Sequence, residues 1–239
     1  KDTLNRPKQL LLLLLHGLLP VAIIHLQGDD GTALVMAVIF AAMLFTAGLS
    51  WKYILPVAAM IPPAAIVAWN FLLDDDKKNR ILAVIDPTLV EAADSWQQQR
   101  GLISIGNGGL WGNGVFMETG QFRYVPEVYN DFIFTYIGET VGFIGCLAVL
   151  LVLAFLCIRI LSNGLRAPDD LGKYICVGVF AMIGIQIIIN IGMCLGMMPV
   201  IGVTLPFLSA GGTSTGTLYL AIGVVLSVYV HSGKDRLFG

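Results

Sequence analysis

Residues 122–161 read FRYVPEVYNDFIFTYIGETVGFIGCLAVLLVLAFLCIRIL, and the change of character along this stretch decides the fold. Its first part carries Arg123, Glu127, Asn130, Asp131 and Glu139, whereas no residue between Glu139 and Arg159 is charged. An apolar run of about twenty residues matches the roughly 30 Å hydrocarbon core of a bilayer when it is helical. Water therefore gives way to lipid inside this stretch. A carboxylate at that boundary is costly unless something uses it.

Apolar runs of similar length recur near 9–26, 32–50, 53–73, 174–198 and 205–230. Together with 132–161 they predict an all-α polytopic membrane protein of six transmembrane helices. Composition points the same way. Of 239 residues, 56% are hydrophobic and 13% charged, about half the charge of an ordinary soluble domain, and the mean hydropathy is +0.81. The chain is expected to divide into 1–73, a cytoplasmic start with three spans; 74–131, a long extracytoplasmic loop; and 132–239, three spans and a short cytoplasmic tail. It begins KDTLNRPKQ, without Met or a signal peptide. That predicts a piece of a longer chain from which earlier spans are missing.

Charge sets the orientation. If six spans alternate, Lys1, Arg6, Lys8, Lys52, Arg159, Arg166, Lys173, Lys234 and Arg236 share one side. Lys77, Lys78, Arg80, Arg100 and Arg123 fall on the other, all within one long loop that counts little toward the bias. Both termini are thus expected in the cytoplasm, with an acidic outer face over a basic inner one. Nothing in this pattern suggests nucleic acid as a partner. Cys146, Cys157, Cys176 and Cys194 lie in or at the ends of spans without CxxC or metal spacing, which predicts helix packing. His16, His25 and His231 are scattered.

Three polar interruptions fall on the outer side by this topology: 27–32 with Asp29 and Asp30, the loop 97–131, and the Gly-, Pro- and Ser-containing break at 190–214. Broken helices are tolerated where the backbone faces protein or a watery cavity. The loop contains SWQQQRGLISIGNGGLWGNGVF, with Gly106, Gly108, Gly109, Gly112 and Gly114. No strand precedes these glycines, which excludes a dinucleotide fingerprint. They suit either a flexible loop or close backbone approach to a ligand. Asp131 has two readings of its own. Asn130 or Asp131 could cap the helix that follows. Alternatively, Glu139, eight residues on and on nearly the same helical face, pairs with Asp131 around a cation, a proton relay or a sugar hydroxyl.

Four stretches carry a resemblance: QGDDGTALV at 27–35, ISIGNGGLWGNG at 103–114, VPEVYNDFIFTYIGETVGFIG at 125–145 and NIGMCLGMMPVIGVTLPFLSAGG at 190–212. In this order they resemble the SEDS (RodA/FtsW/SpoVE-like) glycosyltransferases, the cell-wall polymerases of elongation, division and sporulation. The match covers the second half of that family's ten-helix fold. The resemblance implies a peptidoglycan glycosyltransferase that polymerises lipid II at the outer face of the bacterial cytoplasmic membrane, alongside a class B penicillin-binding protein. It makes Asp131 the essential residue. A carboxylate there can accept the proton of the attacking sugar hydroxyl. Glu127, Arg123, Glu139, Asp29, Arg100, Gln97, Gly108, Gly109 and Ser209 are the expected substrate contacts. A divalent cation, Mg or Mn, could serve the leaving diphosphate in place of Arg80, Arg100 or Arg123, and no organic cofactor is implied. The sequence departs from the family pattern at Gly28, Asp30, Arg100, Thr140 and Ala210. Two other function classes fit the polar breaks: a lipid-precursor flippase, and a non-catalytic membrane partner of a transpeptidase.

Overall fold

The computed structural model describes residues 4–116 and 120–238, without the side chains of 92–94 and 233–238. Among the described residues all regular structure is helical, and the chain forms two compact units, Lys1–Ser95 and Trp96–Gly239.

In the first unit, α1 (Pro7–Leu26) packs against α2 (Asp30–Thr46). Asn5 pins the start of α1 to the turn before α3 (Trp51–Val67): its side chain donates to the Gly48 carbonyl at 3.2 Å and accepts the Ser50 amide at 2.9 Å. The third helix continues into a π-helical turn, Ala68–Leu72. A short amphipathic helix, α4 (Asp75–Ile85), follows; Asp74 caps it by accepting the Lys77 amide at 3.2 Å. Of the six predicted spans, five appear as helices long and apolar enough to cross a bilayer. The exception is α2, whose 17 residues rise only about 25 Å, short of the hydrocarbon thickness.

The second unit begins with the body of α5 (Ala92–Gly108). Then come a 3-10 turn at Gln121–Tyr124, the long α6 (Ile133–Leu165), α7 (Asp170–Cys194) and α8 (Gly212–Phe238). The predicted 74–131 loop is therefore largely helical. The last span starts at Gly212, not near 205, leaving 195–211 irregular between α7 and α8. Two apolar clusters hold the unit. One gathers Phe122, Val125, Val128, Phe132, Phe134 and Leu205 under the head of α6, and the other joins Cys157, Ile160, Cys176, Ile183, Leu218 and Val225 across the three long helices. All four cysteines are buried and unbridged, as packing residues should be.

The sequence gives no hint of a splice inside α6. Gly142 sits at φ 78°, ψ −171°, and breaks the helix. The two helical bonds that Phe143 and Ile144 should donate to the Glu139 and Thr140 carbonyls are absent. Residues 109–114 replace them. The Asn113 and Gly114 amides donate to those carbonyls at 2.9 and 3.0 Å, and the freed Phe143 and Ile144 amides donate to the Gly109 and Leu110 carbonyls at 2.9 and 3.2 Å. The four backbone groups released at the break thus find partners, as an apolar environment demands. Only glycine suits position 142, because of its positive φ and because a Cβ there would strike the Gly112 amide and the Leu110 carbonyl.

Candidate active site

The charge-free run 140–158 is by itself long enough to cover the hydrocarbon core. Asp131 and Glu139, just before it, lie at or beyond the edge of that core. Residues 126–132 form a series of turns leading into α6. Glu127 adopts φ 52°, a left-handed conformation uncommon for a residue with a side chain. Its carbonyl accepts the amides of Asn130 at 2.9 Å and Phe132 at 3.2 Å, and its carboxylate accepts the Asn130 side-chain amide.

Asp131 does not cap α6. Phe132 occupies the N-cap position, without a side-chain cap. The Asp131 carboxyl is 9% exposed, and Oδ1 has no hydrogen-bond partner among the described residues. It is thus drier than an open cleft would make it. Burial pushes its pKa above the usual carboxylate range; its own backbone amide pulls it partly back, and the nearby Glu127 carboxylate adds to the rise. Exposed Gly202 borders it: a Cβ on that glycine would lie 3.9 Å from Asp131 Oδ2. The turn is tied to the 195–211 segment by a 2.7 Å bond from the Ala210 amide to the Tyr129 carbonyl.

Glu139 behaves differently. It is 1% exposed and accepts three short hydrogen bonds: from Ser104 Oγ at 2.6 Å and from the Gln121 and Phe122 amides at 2.7 Å each. The predicted pairing of Glu139 with Asp131 around a shared ligand does not match this arrangement. Glu139 instead brackets α5 and the 3-10 turn onto α6.

The other expected contacts divide as follows. Gln97 donates to the Pro126 carbonyl at 3.1 Å. The Arg100 guanidinium lies 5.7 Å from the Trp96 ring centre and 6.0 Å from that of Tyr124, in cation–π range. Arg123 lies 6.0 Å from the Phe122 ring. These residues gather on the segment leading to Asp131. Gly108 has a packing role: a Cβ there would collide with the Gly138 carbonyl. Gly109 serves the α6 splice through its carbonyl. Ser209 Oγ accepts the Leu205 amide at 2.7 Å and so shapes the 195–211 segment. Asp29 belongs to the first unit and caps α2 through the Thr32 amide at 2.9 Å, while Asp30 pairs with His25 at 2.6 Å and Lys77 at 2.8 Å. Among the described residues no three His, Cys, Asp or Glu side chains converge as a metal site. Mg often binds through one or two carboxylates, with phosphate and water completing its shell. The exposed Glu127 carboxylate is the donor this chain would offer.

Sequence reasoning missed Asn190, which is fully buried on α7 and donates to the Asp131 and Val203 carbonyls at 2.7 Å each. The available signal was an amide within the apolar run 174–198.

This fold and site define a multi-pass helical membrane protein with a buried carboxylate at the head of one span. The chain belongs to the cell cycle protein family FTSW_RODA_SPOVE, whose model matches residues 1–234. It is similar to the peptidoglycan glycosyltransferase MrdB of Escherichia coli (strain K12), 33% identical over 218 residues, which are 89% of this chain and 58% of that protein. It is also similar to the stage V sporulation protein E of Bacillus subtilis (strain 168), 37% identical over 210 residues, covering 88% of this chain and 57% of the relative. The chain thus spans a little over half the length of these relatives. Among solved structures it resembles a chain from a peptidoglycan synthase complex described as coordinating polymerization and crosslinking. There the TM-score is 0.79 at 27% identity, over 95% of this chain and 63% of that one.

Proposed function

We propose that the protein to which this chain belongs polymerises lipid II into glycan strands at the outer face of the bacterial cytoplasmic membrane, with Asp131 as general base. The observation that carries this reading is the Asp131 carboxyl itself. It is buried, unused as a helix cap and, among the described residues, unpartnered at Oδ1. A buried polar atom without a partner is rare and asks for an explanation, and an incoming hydroxyl supplies one. The acceptor sugar's 4-hydroxyl gives its proton to Asp131 as its oxygen attacks the anomeric carbon, and the bond to the diphosphate breaks. A pKa raised by burial strengthens the base, in the direction that general-base catalysis near neutral pH favours. Arg123 and Arg100 are the cations of this unit suited to the departing diphosphate. A divalent cation carried by the diphosphate would supply further positive charge.

The names of the relatives support the reaction class, and the peptidoglycan synthase complex supports a crosslinking partner, here a class B penicillin-binding protein. The Lys and Arg bias of the short loops supports cytoplasmic termini. The test is polymerisation of purified lipid II by the full-length protein and its Asp131→Asn variant, with and without the cognate transpeptidase. Loss of polymer from a variant that still elutes as a folded monodisperse species is expected. Unchanged rate and polymer length would overturn the assignment.

A further inference from the structure

Asn190 lies inside a 25-residue apolar helix, fully buried. A polar side chain within a span is expected to be put to use, and this one is used twice. An amide nitrogen has two hydrogens; those of Asn190 go to the carbonyl of Asp131, 59 positions earlier, and to that of Val203, 13 positions later. One turn further along α7, Cys194 Sγ lies 3.7 Å from the same Asp131 carbonyl oxygen and 3.9 Å from Asn190 Oδ1. Val203 follows Gly202, the exposed residue bordering Asp131 Oδ2. One side chain therefore sets the spacing between the peptide that carries the carboxylate and the peptide that walls it. None of these bonds falls on the Asp131 carboxylate. Asp131 Oδ1 remains without a partner among the described residues.

We infer that Asn190 is a positioning residue: by holding the Asp131 and Val203 carbonyls on one amide, it fixes the Asp131 carboxylate in its dry setting against Gly202. The inference rests on the reading of Asp131 as base, but its test does not. Releasing the clamp lets the 126–132 turns and the 195–211 segment part and water reach the carboxylate. Desolvation is the largest cause of the raised Asp131 pKa, so hydration moves it down. The titratable groups that interact electrostatically with Asp131 are Glu127 and Cys194.

The experiment titrates Asp131 in the purified full-length protein by isotope-edited infrared spectroscopy of aspartate carboxyls. Asp131→Asn identifies the band, and Glu127→Gln measures the contribution of Glu127. Asn190→Leu keeps the size and removes both donors; Asn190→Thr keeps one. Gln98→Leu is the control: Gln98 is a buried amide that donates instead to the Met193 and Met198 carbonyls at 3.2 and 2.6 Å. The expected result is a fall in the Asp131 midpoint toward the ordinary value of 3.8 in Asn190→Leu. The fall should be smaller in Asn190→Thr and absent in Gln98→Leu. Lipid II polymerisation by Asn190→Leu should lose roughly ten- to hundredfold in kcat, with KM changed far less. An unmoved midpoint in folded Asn190→Leu, or an equal shift in Gln98→Leu, overturns the inference and leaves Asn190 a stabilising amide only. If Asn190→Leu does not fold, Asn190→Thr decides by the same criterion. A titration as expected in a protein that makes no polymer would sink the proposed function and leave the positioning role standing.

Discussion

Eight residues separate Asp131 from Glu139, and the two carboxyls have opposite surroundings. Glu139 is saturated: a hydroxyl and two backbone amides from other segments converge on it. Asp131 is buried nearly as deeply, yet the hydrogen bonds around it go to its carbonyl and leave Oδ1 alone. One carboxyl is spent on architecture and the other is kept in reserve. Charge and spacing alone made them look like partners, because sequence shows which residues share a helical face and not which amides and hydroxyl arrive from 17 to 35 residues away.

The sharpest way to break this contrast is to neutralise each carboxyl in the full-length protein. Asp131→Asn should reduce lipid II polymerisation by roughly 10²- to 10⁴-fold, the range expected for a lost general base, with thermal stability unchanged or slightly raised. Glu139→Gln should do the reverse. It should keep more activity than Asp131→Asn and lower stability by about 1–3 kcal/mol, the cost of a damaged buried hydrogen-bond set. Equal activity losses in the two variants would move the catalytic role inward along α6. Next in size is Gly108→Ala, whose methyl would collide with the Gly138 carbonyl. Overpacking of this kind costs about 1–3 kcal/mol, measured as a fall in the unfolding midpoint in detergent, and it should mimic Glu139→Gln more closely than Asp131→Asn.

pH gives a further handle on Asp131. A carboxyl whose folded pKa is raised stabilises the protein while protonated. That contribution is fully present below the unfolded value near 3.8 and is lost as pH rises through the higher folded value. Asp131→Asn should therefore flatten the part of the stability–pH curve just above that value. The activity of the wild type should rise with pH over the same window, as the base loses its proton. The smallest expected effect belongs to Arg100→Ala. Loss of its contacts with Trp96 and Tyr124 costs about 0.5–1 kcal/mol, read as a slight drop in melting temperature, and a rise in KM for lipid II would place Arg100 on the diphosphate.

Much of this was legible in the chain. Apolar runs located α1, α3, α6 and α7 well, because span length is set by the bilayer and not by neighbouring segments. The PEVYND motif singled out Asp131, which is buried with Oδ1 unpartnered among the described residues. Legibility failed wherever one segment completes another. The start of α8 at Gly212 was obscured because 205–211 is apolar without being helical. The glycines of 108–114 suited ligand approach, but Gly108 serves close packing and Gly109 and Gly114 serve backbone exchange with α6. Asn190 passed unremarked in an oily run, since its meaning lies in two distant carbonyls.

The splice at Gly142 bears on how the polypeptide enters the bilayer during synthesis. Residues 109–114 leave the ribosome before α6 does, so the template for the broken turn has emerged by the time the Glu139 and Thr140 carbonyls need it. Each segment thus supplies backbone partners the other lacks, and the head of α6 is complete only with 109–114 in place.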